Sequence, residues 1–117
     1  MRDTQRKGDI GVTQAVATFT RIGYDVSIPI TESAAYDILV DDGTQIHRVQ
    51  VRYTSNVNGE VDLRRIHSNS QGYVVKKLSS KAYDWLYILK SSGEEYLIKE
   101  CSPGRRSIRP QLVNKIN

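Results

Sequence analysis

Two short runs rich in apolar residues, Asp37-Ile38-Leu39-Val40 and Ile46-His47-Arg48-Val49-Gln50-Val51-Arg52-Tyr53, flank an Asp42-Gly43 pair. Most of their apolar residues are β-branched or aliphatic, and the pattern predicts two β-strands folded back on a turn. If Asp42-Gly43 forms a two-residue loop, Asp41 faces Thr44 and Asp37 faces Arg48. Side chains alternate faces along a strand, so Asp37, Arg48, Gln50 and Arg52 then share one face. Ile38, Val40, Val49 and Val51 line the other, which is the side expected to be buried. A three-residue loop with a bulge would shift the parity and disperse the polar set.

The rest of the chain is organised around that hairpin. Residues 1–7 (MRDTQRK) are charged and expected to be loosely ordered. Asp9 reads as an N-cap, and Val12, Ala15, Val16, Phe19 and Ile22 recur at helical spacing to give one apolar face. Gly23 stands where a left-handed cap would end that helix. Tyr24 to Ile30 alternates as a short strand, with Pro29 pointing to a sheet edge or strand end. Beyond the hairpin, Asn56 to Gly59 is a turn and Glu60 to Ile66 a further strand. His67 to Gly72 is a polar loop, and Tyr73 to Leu78 fits a strand or a helical turn equally. Tyr83 to Lys90 and Glu95 to Glu100 bracket Ser91 to Glu94 as a second hairpin. A basic tail, 102–117, carries a short helical turn near Gln111 to Ile116. One early helix followed by many strands gives an α/β or α+β sheet domain.

Composition narrows the classes. The 117 residues suit one domain. A hydrophobic fraction of 38% and a charged fraction of 26% fit a folded globular chain. The net charge of +4 and pI near 9.3 are compatible with a polyanionic partner. Cys101 is the only cysteine, which excludes an intrachain disulfide, a zinc knuckle and a CxxC redox motif. No apolar run is long enough for a membrane span, and the basic start lacks a signal peptide's apolar core. A cytoplasmic protein is expected.

The polar face of the hairpin carries the chemistry. Phosphodiester hydrolysis needs a hard cation to polarise phosphate and activate water, and Mg²⁺ takes oxygen ligands. Asp37 is such a ligand, and the amide oxygen of Gln50 a weaker, neutral one. Arg52 can neutralise charge on a phosphate but cannot serve as a base. The same residues also read as a solvated strand face with an Asp–Arg cross-strand pair.

At these residues the sequence resembles a known family. Lys7-Gly8-Asp9-Ile10-Gly11 precedes the helix. Gly23-Tyr24-Asp25-Val26-Ser27-Ile28-Pro29, Tyr36-Asp37-Ile38-Leu39-Val40 and Arg48-Val49-Gln50-Val51-Arg52 follow in order. Over roughly residues 4–100, the core of the single domain, this succession is similar to the PD-(D/E)XK nuclease superfamily, in the branch of small group I intron homing endonucleases that use Q-x-K. The resemblance implies an α/β restriction-endonuclease-like core, with a central mixed sheet, an N-terminal helix and a C-terminal β-hairpin. It implies a Mg²⁺-dependent DNA endonuclease, with Mn²⁺ as a substitute. Asp37 then corresponds to the metal-binding aspartate and Gln50 stands at the second acidic position. Val51 lends a backbone carbonyl to the metal, and Arg52 occupies the position of the catalytic lysine. The acid often found on the first helix is replaced by Val12-Thr13-Gln14, which leaves Asp9 and Glu32 as candidate substitutes. A catalytically impaired nucleic-acid-binding module on the same fold is the alternative, motivated by arginine in place of lysine.

The implied partner is double-stranded DNA, and cutting both strands implies a homo-oligomer, dimer or tetramer. Lys7, Arg48, Arg64, Arg65, Lys76 and Lys77 are the candidate phosphate contacts, and Arg105, Arg106 and Arg109 add charge in the tail. Tyr53 and Tyr73 could stack on bases, although sheet packing is the expected role for most of the tyrosines. His47 falls on the apolar face of the hairpin, and Trp85 is expected in the core.

Overall fold

In a computed structural model of the chain, residues 3–63, 66–69, 72–75, 82–101 and 105–117 are described, with backbone alone for 66–69 and 72–75. Helix α1 runs from Asp3 to Ile22, so the expected cap at Asp9 is corrected, and so is the loose start over 3–7; residues 1 and 2 lie outside the described residues. Gln5, Arg6 and Lys7 have straight side chains that lose little freedom in a helix. Asp3 in the first turn suits the positive end of the helix dipole. Asp9 lies inside the helix, where its carbonyl accepts the Thr13 hydroxyl at 2.9 Å.

The other end of α1 falls at Gly23. Gly23 has φ +108°, its N–H donates to Thr20 O, and the Tyr24 N–H donates to Phe19 O, both at 3.0 Å. This pair of bonds is a Schellman cap, and its hydrophobic contact is present too. The rings of Phe19 and Tyr24 stack with centroids 6.2 Å apart. The cap turns the chain straight into the first strand.

Among the described residues nine strands follow: β1 Asp25–Ser27, β2 Ile38–Asp41, β3 Ile46–Thr54, β4 Val61–Asp62, β5 Ile66–Asn69, β6 Gly72–Val75, β7 Trp85–Lys90, β8 Glu95–Ile98 and β9 Ser107–Ile108. Five form the main sheet in the order β1-β2-β3-β7-β8. β3 and β7 run parallel, and the other neighbours antiparallel. The expected mixed sheet, N-terminal helix and C-terminal hairpin are all there.

Both faces of this sheet are covered. On one, Ala15 and Phe19 of α1 pack on Ile38, Val40, Val49, Val51, Trp85, Tyr87, Leu89 and Leu97. On the other, Leu86 and Ile88 meet Val61, Leu63, Tyr83, Ile98 and Ile108. A strand buried on both sides reads as a continuous apolar run rather than an alternating one. That accounts for Trp85-Leu86-Tyr87-Ile88-Leu89, and Trp85 and Tyr87 are core residues as expected.

Several expected boundaries move. The strand expected over Tyr24 to Ile30 keeps only three residues, and Ile28 and Ile30 are exposed beside Pro29. The expected Glu60 to Ile66 strand is divided: Val61 and Asp62 pair with Ile108 and Ser107 of β9. Ile66 opens β5 instead, which pairs with β6. That hairpin takes in parts of the expected polar loop 67–72 and settles residues 73–75 as strand. The tail has the expected turn, a 3₁₀ helix at Leu112–Asn114. Beyond it the Ile116 N–H donates to Glu95 O at 2.9 Å along the β8 edge. Among the described residues no helix is long and apolar enough to cross a membrane.

Candidate functional site

The β2–β3 register decides which polar residues meet. Ile38 pairs with Val49, Leu39 with Arg48, Val40 with His47 and Asp41 with Ile46. The expected pairing of Asp37 with Arg48 is therefore corrected by two residues, and one step beyond Ile38 sets Asp37 level with Gln50. The cause is the turn. Asp42 Oδ1 accepts the N–H groups of Thr44 and Gln45 at 2.8 Å each, and the Asp42 N–H donates to Gln45 O at 3.0 Å. These bonds close a loop over 42–45 instead of 42–43. A shift by two preserves parity, so Asp37, Gln50 and Arg52 stay on one face while Val49 and Val51 pack under α1.

Asp37 sits where β2 begins, and its carboxylate continues the ladder that its backbone opens. Its N–H donates to Val49 O at 2.9 Å. Two residues along β3, the Val51 N–H finds no β2 residue to accept it and donates to Asp37 Oδ2 at 2.7 Å. Gln50 Nε2 donates to the same oxygen at 2.7 Å. Gln50 is buried, and among the described residues its Oε1 has no hydrogen-bond partner. A buried acceptor left unpaired costs about 1–3 kcal/mol. Such an atom beside a carboxylate is where a cation would be accommodated.

Arg52 lies next along the same face. Its Nη1 donates to the Val51 carbonyl at 3.1 Å and its Nε to the Asp62 carbonyl of β4 at 3.2 Å. Arg52 thus reaches the very carbonyl that the family resemblance assigns to the metal. The oxygen donors on offer are the Asp37 carboxylate, Gln50 Oε1 and the Val51 carbonyl. That set fits a hard cation such as Mg²⁺ and does not suit zinc, which takes nitrogen and sulfur. Among the described residues no group of three His, Cys, Asp or Glu side chains could hold a metal ion. Asp9 and Glu32 are exposed and make no such group with Asp37. Where an acid would be expected on the helix, Gly11 packs toward Val51, with room for a Cβ only 3.1 Å from Val51 Cγ1. Val12 packs against the core.

The other candidates divide. Arg48 is engaged by Asp84, whose Oδ2 accepts the Arg48 backbone N–H at 2.8 Å and Nε at 3.3 Å, while Oδ1 accepts Nη2 at 3.3 Å. In return the Asp84 N–H donates to Arg48 O at 2.8 Å. Arg48 is therefore an ion-paired strand residue that ties β3 to the start of β7. Asp84 carries no sequence signal of this role, because only the parallel β3–β7 pairing brings it there. Lys7 is exposed on α1. Arg64, Arg65, Lys76 and Lys77 lie outside the described residues. Tyr53 is half-buried against the helix-side core.

His47, on the apolar face as expected, stacks on Trp85 with ring centroids 3.9 Å apart. Its Nε2 lies 2.8 Å from Asp42 Oδ2. The Gln45 N–H, then His47 and the Thr44 N–H, hold the Asp42 carboxyl down at about 2. This dyad braces the turn that sets the register.

Comparison with known proteins agrees with this geometry. A family model described as PD-(D/E)XK endonuclease matches residues 2–99. Among solved structures, the bacterial homing endonuclease I-Ssp6803I superposes with a TM-score of 0.70 at 20% identity, over 94% of this chain and 79% of that one. No curated protein sequence matches the chain. A family match over most of the length, on a sheet that brings Asp37, Gln50 and Val51 together, makes this chain a member of the PD-(D/E)XK endonuclease family.

Proposed function

We propose that the chain is a divalent-metal-dependent DNA endonuclease, homing-endonuclease-like, that hydrolyses phosphodiester bonds at the Asp37–Gln50–Arg52 face. The observation that carries this reading is the meeting of Gln50 Nε2 and the Val51 N–H on one oxygen of Asp37, with Gln50 Oε1 buried and, among the described residues, unpaired beside them. Asp37, Gln50 Oε1 and the Val51 carbonyl would hold Mg²⁺, or Mn²⁺ in its stead. When bound, the ion supplies polarisation of the phosphate and an activated water. Arg52 offers its guanidinium to the scissile phosphate and stabilises the charge that builds there. Lys7 and the basic residues at 64, 65, 76 and 77 would add phosphate contacts that position the duplex without reading it. Cutting both strands calls for a symmetric homo-oligomer, which light scattering would size.

The test is nicking of supercoiled plasmid in Mg²⁺ or Mn²⁺. Cleavage by the wild type that disappears in Asp37→Ala is expected, and cleavage unchanged in Asp37→Ala would sink the assignment. A second reading, a DNA-binding module without turnover, is favoured by Arg52 in the position of a lysine and by its bond to the Val51 carbonyl. It predicts salt-sensitive binding without nicking, and cleavage gained on Arg52→Lys.

A further inference from the structure

Helix α1 carries two glycines, Gly8 and Gly11, and neither has a positive φ. Glycine is a poorer helix former than alanine, so each weakens the helix unless something else requires it. At Gly8 a Cβ would meet nothing within 4 Å. At Gly11, which is buried, it would lie 3.1 Å from Val51 Cγ1 and 3.7 Å from Tyr53 Cβ. The first distance is closer than packed carbons settle, since their attraction is best at about 3.5–4.0 Å. Gly11 therefore supplies space and not backbone freedom: it lets α1 close on β3 at Val51. Ala15, one turn on, is fully buried and continues the same close approach.

We propose that Gly11 is a positioning residue for the Asp37–Gln50–Val51 centre: by admitting α1 against Val51 it sets the level at which the β3 backbone meets Asp37. This rests on the reading of Asp37, Gln50 and Val51 as the metal ligands. Val51 is β-branched and buried, so its side chain has little room to yield by rotation, and a push on Cγ1 passes into the backbone. There the two flanks of Val51 differ. On one, it is level with Tyr87 in the parallel ladder with β7, and Tyr87 is fully buried. On the other, β2 begins at Ile38, opposite Val49, and the Val51 N–H is held by a side chain, Asp37 Oδ2 at 2.7 Å. A carboxylate on a rotatable side chain gives before a strand ladder does. The displacement therefore falls on the bond to Asp37. Gln50, whose Nε2 donates to the same oxygen at 2.7 Å, is carried with it. A methyl group on the helix side of the sheet thus disturbs the ligand set on the other side without touching a ligand atom.

The experiment compares full-chain Gly11→Ala with wild type and with Gly8→Ala, which makes the same gain in helix propensity in open space. Circular dichroism verifies folding. Proton–nitrogen NMR spectra of the metal-free proteins follow the Val51 amide, and isothermal titration measures Mg²⁺ and Ca²⁺ affinity. Gly8→Ala should match wild type in both the Val51 amide and the metal affinity. Gly11→Ala should stay folded, move the Val51 amide proton upfield as its bond to Asp37 lengthens, and bind metal about tenfold more weakly, as for groups that orient ligands. In a Val51→Ala background, where Cγ1 is gone, Gly11→Ala should cost less metal affinity than it does in wild type, because the contact that couples the two residues is absent. A Gly11→Ala protein with the wild-type Val51 amide or the wild-type metal affinity, or with the same loss in both backgrounds, overturns the positioning role. So does one that fails to fold, since Gly11 then serves the fold and not the centre. Absence of metal binding by the wild type removes the metal-dependent reading instead, and the Val51 amide then upholds or overturns the hold of Gly11 on the Asp37 bond by itself.

Discussion

Gln50 Nε2 donates to Asp37 Oδ2 at 2.7 Å, so a neutral amide donor sits directly against the carboxylate of the site. Replacing that donor with an acceptor should separate fold stability from metal affinity. Gln50→Glu sets two carboxylates against each other in a buried site. Metal-free protein should lose about 1–3 kcal/mol at neutral pH. The like charge raises the pair's proton affinity, so the loss is present at neutral pH and fades as pH falls through the raised carboxyl pKa. Added Mg²⁺ should raise the melting temperature of Gln50→Glu more than that of wild type, because binding to the folded state alone stabilises it. Thermal unfolding in EDTA and in Mg²⁺ checks this, and a variant as stable as wild type in EDTA would contradict it.

Glu95 is a buried carboxylate satisfied by protein hydroxyls. Glu95 Oε1 accepts the Thr18 hydroxyl at 2.5 Å and the Tyr87 hydroxyl at 2.6 Å. Thr18 in turn accepts Gln14 Nε2 at 3.2 Å. The network joins α1 to β7 and β8, and burial first, then Glu95, pushes the Tyr87 phenol well above its ordinary range. Glu95→Leu strands two buried hydroxyls and should cost about 2–4 kcal/mol. Tyr87→Phe alone should cost about 1–2 kcal/mol. The double variant should lose less than the sum, since the hydroxyl has already lost its acceptor. Denaturant unfolding of the three proteins measures the coupling, and strict additivity would show that the bond contributes nothing.

How much of this was legible in the sequence depends on the range over which each feature acts. The hairpin, its buried face and the α1 stop at Gly23 were readable because they follow from side-chain alternation and one glycine. The site survived a misjudged turn for a definite reason: Asp-Gly suggested a two-residue loop, but Asp42 caps Thr44 and Gln45, and two even-length loops share one parity. The pairing of β4 with β9 was not readable, since two-residue strands carry no periodicity. Nor was the fate of Arg48, whose partner Asp84 comes from a parallel strand far along the chain. Arg52 was flagged by strand parity and by its place in the family's motif. Its grip on the carbonyls of Val51 and Asp62 is set by tertiary structure.

Glycines at positive φ offer a graded test of the tail's docking. Gly43 and Gly59 have φ of +93° and +79°, so alanine is strained at both. At Gly43 an added Cβ meets nothing within 4 Å, whereas at Gly59 it would lie 2.7 Å from Pro110 Cγ. Gly43→Ala should cost about 1 kcal/mol from backbone strain alone. Gly59→Ala should cost about 2–3 kcal/mol, because the proline ring must also move. Equal losses in denaturant unfolding would mean that the tail does not hold Pro110 against the 56–59 turn.

The turn that sets the register should be acid-sensitive. Asp42 titrates at about 2 in the folded protein against 3.8 ordinarily. A carboxyl with a depressed folded pKa contributes stability that is fully present above its unfolded value and is lost as pH falls through the folded one. The window is therefore pH 4 down to 2. Asp42→Asn keeps an oxygen for the Thr44 and Gln45 N–H groups and removes the charge that faces His47 Nε2 at 2.8 Å. Wild type should be the more stable protein at pH 5, and the gap should close between pH 4 and 2. Urea unfolding of both proteins across that range reads the gap directly, and a gap that stays constant to pH 2 would assign the effect of Asp42 to packing instead of charge.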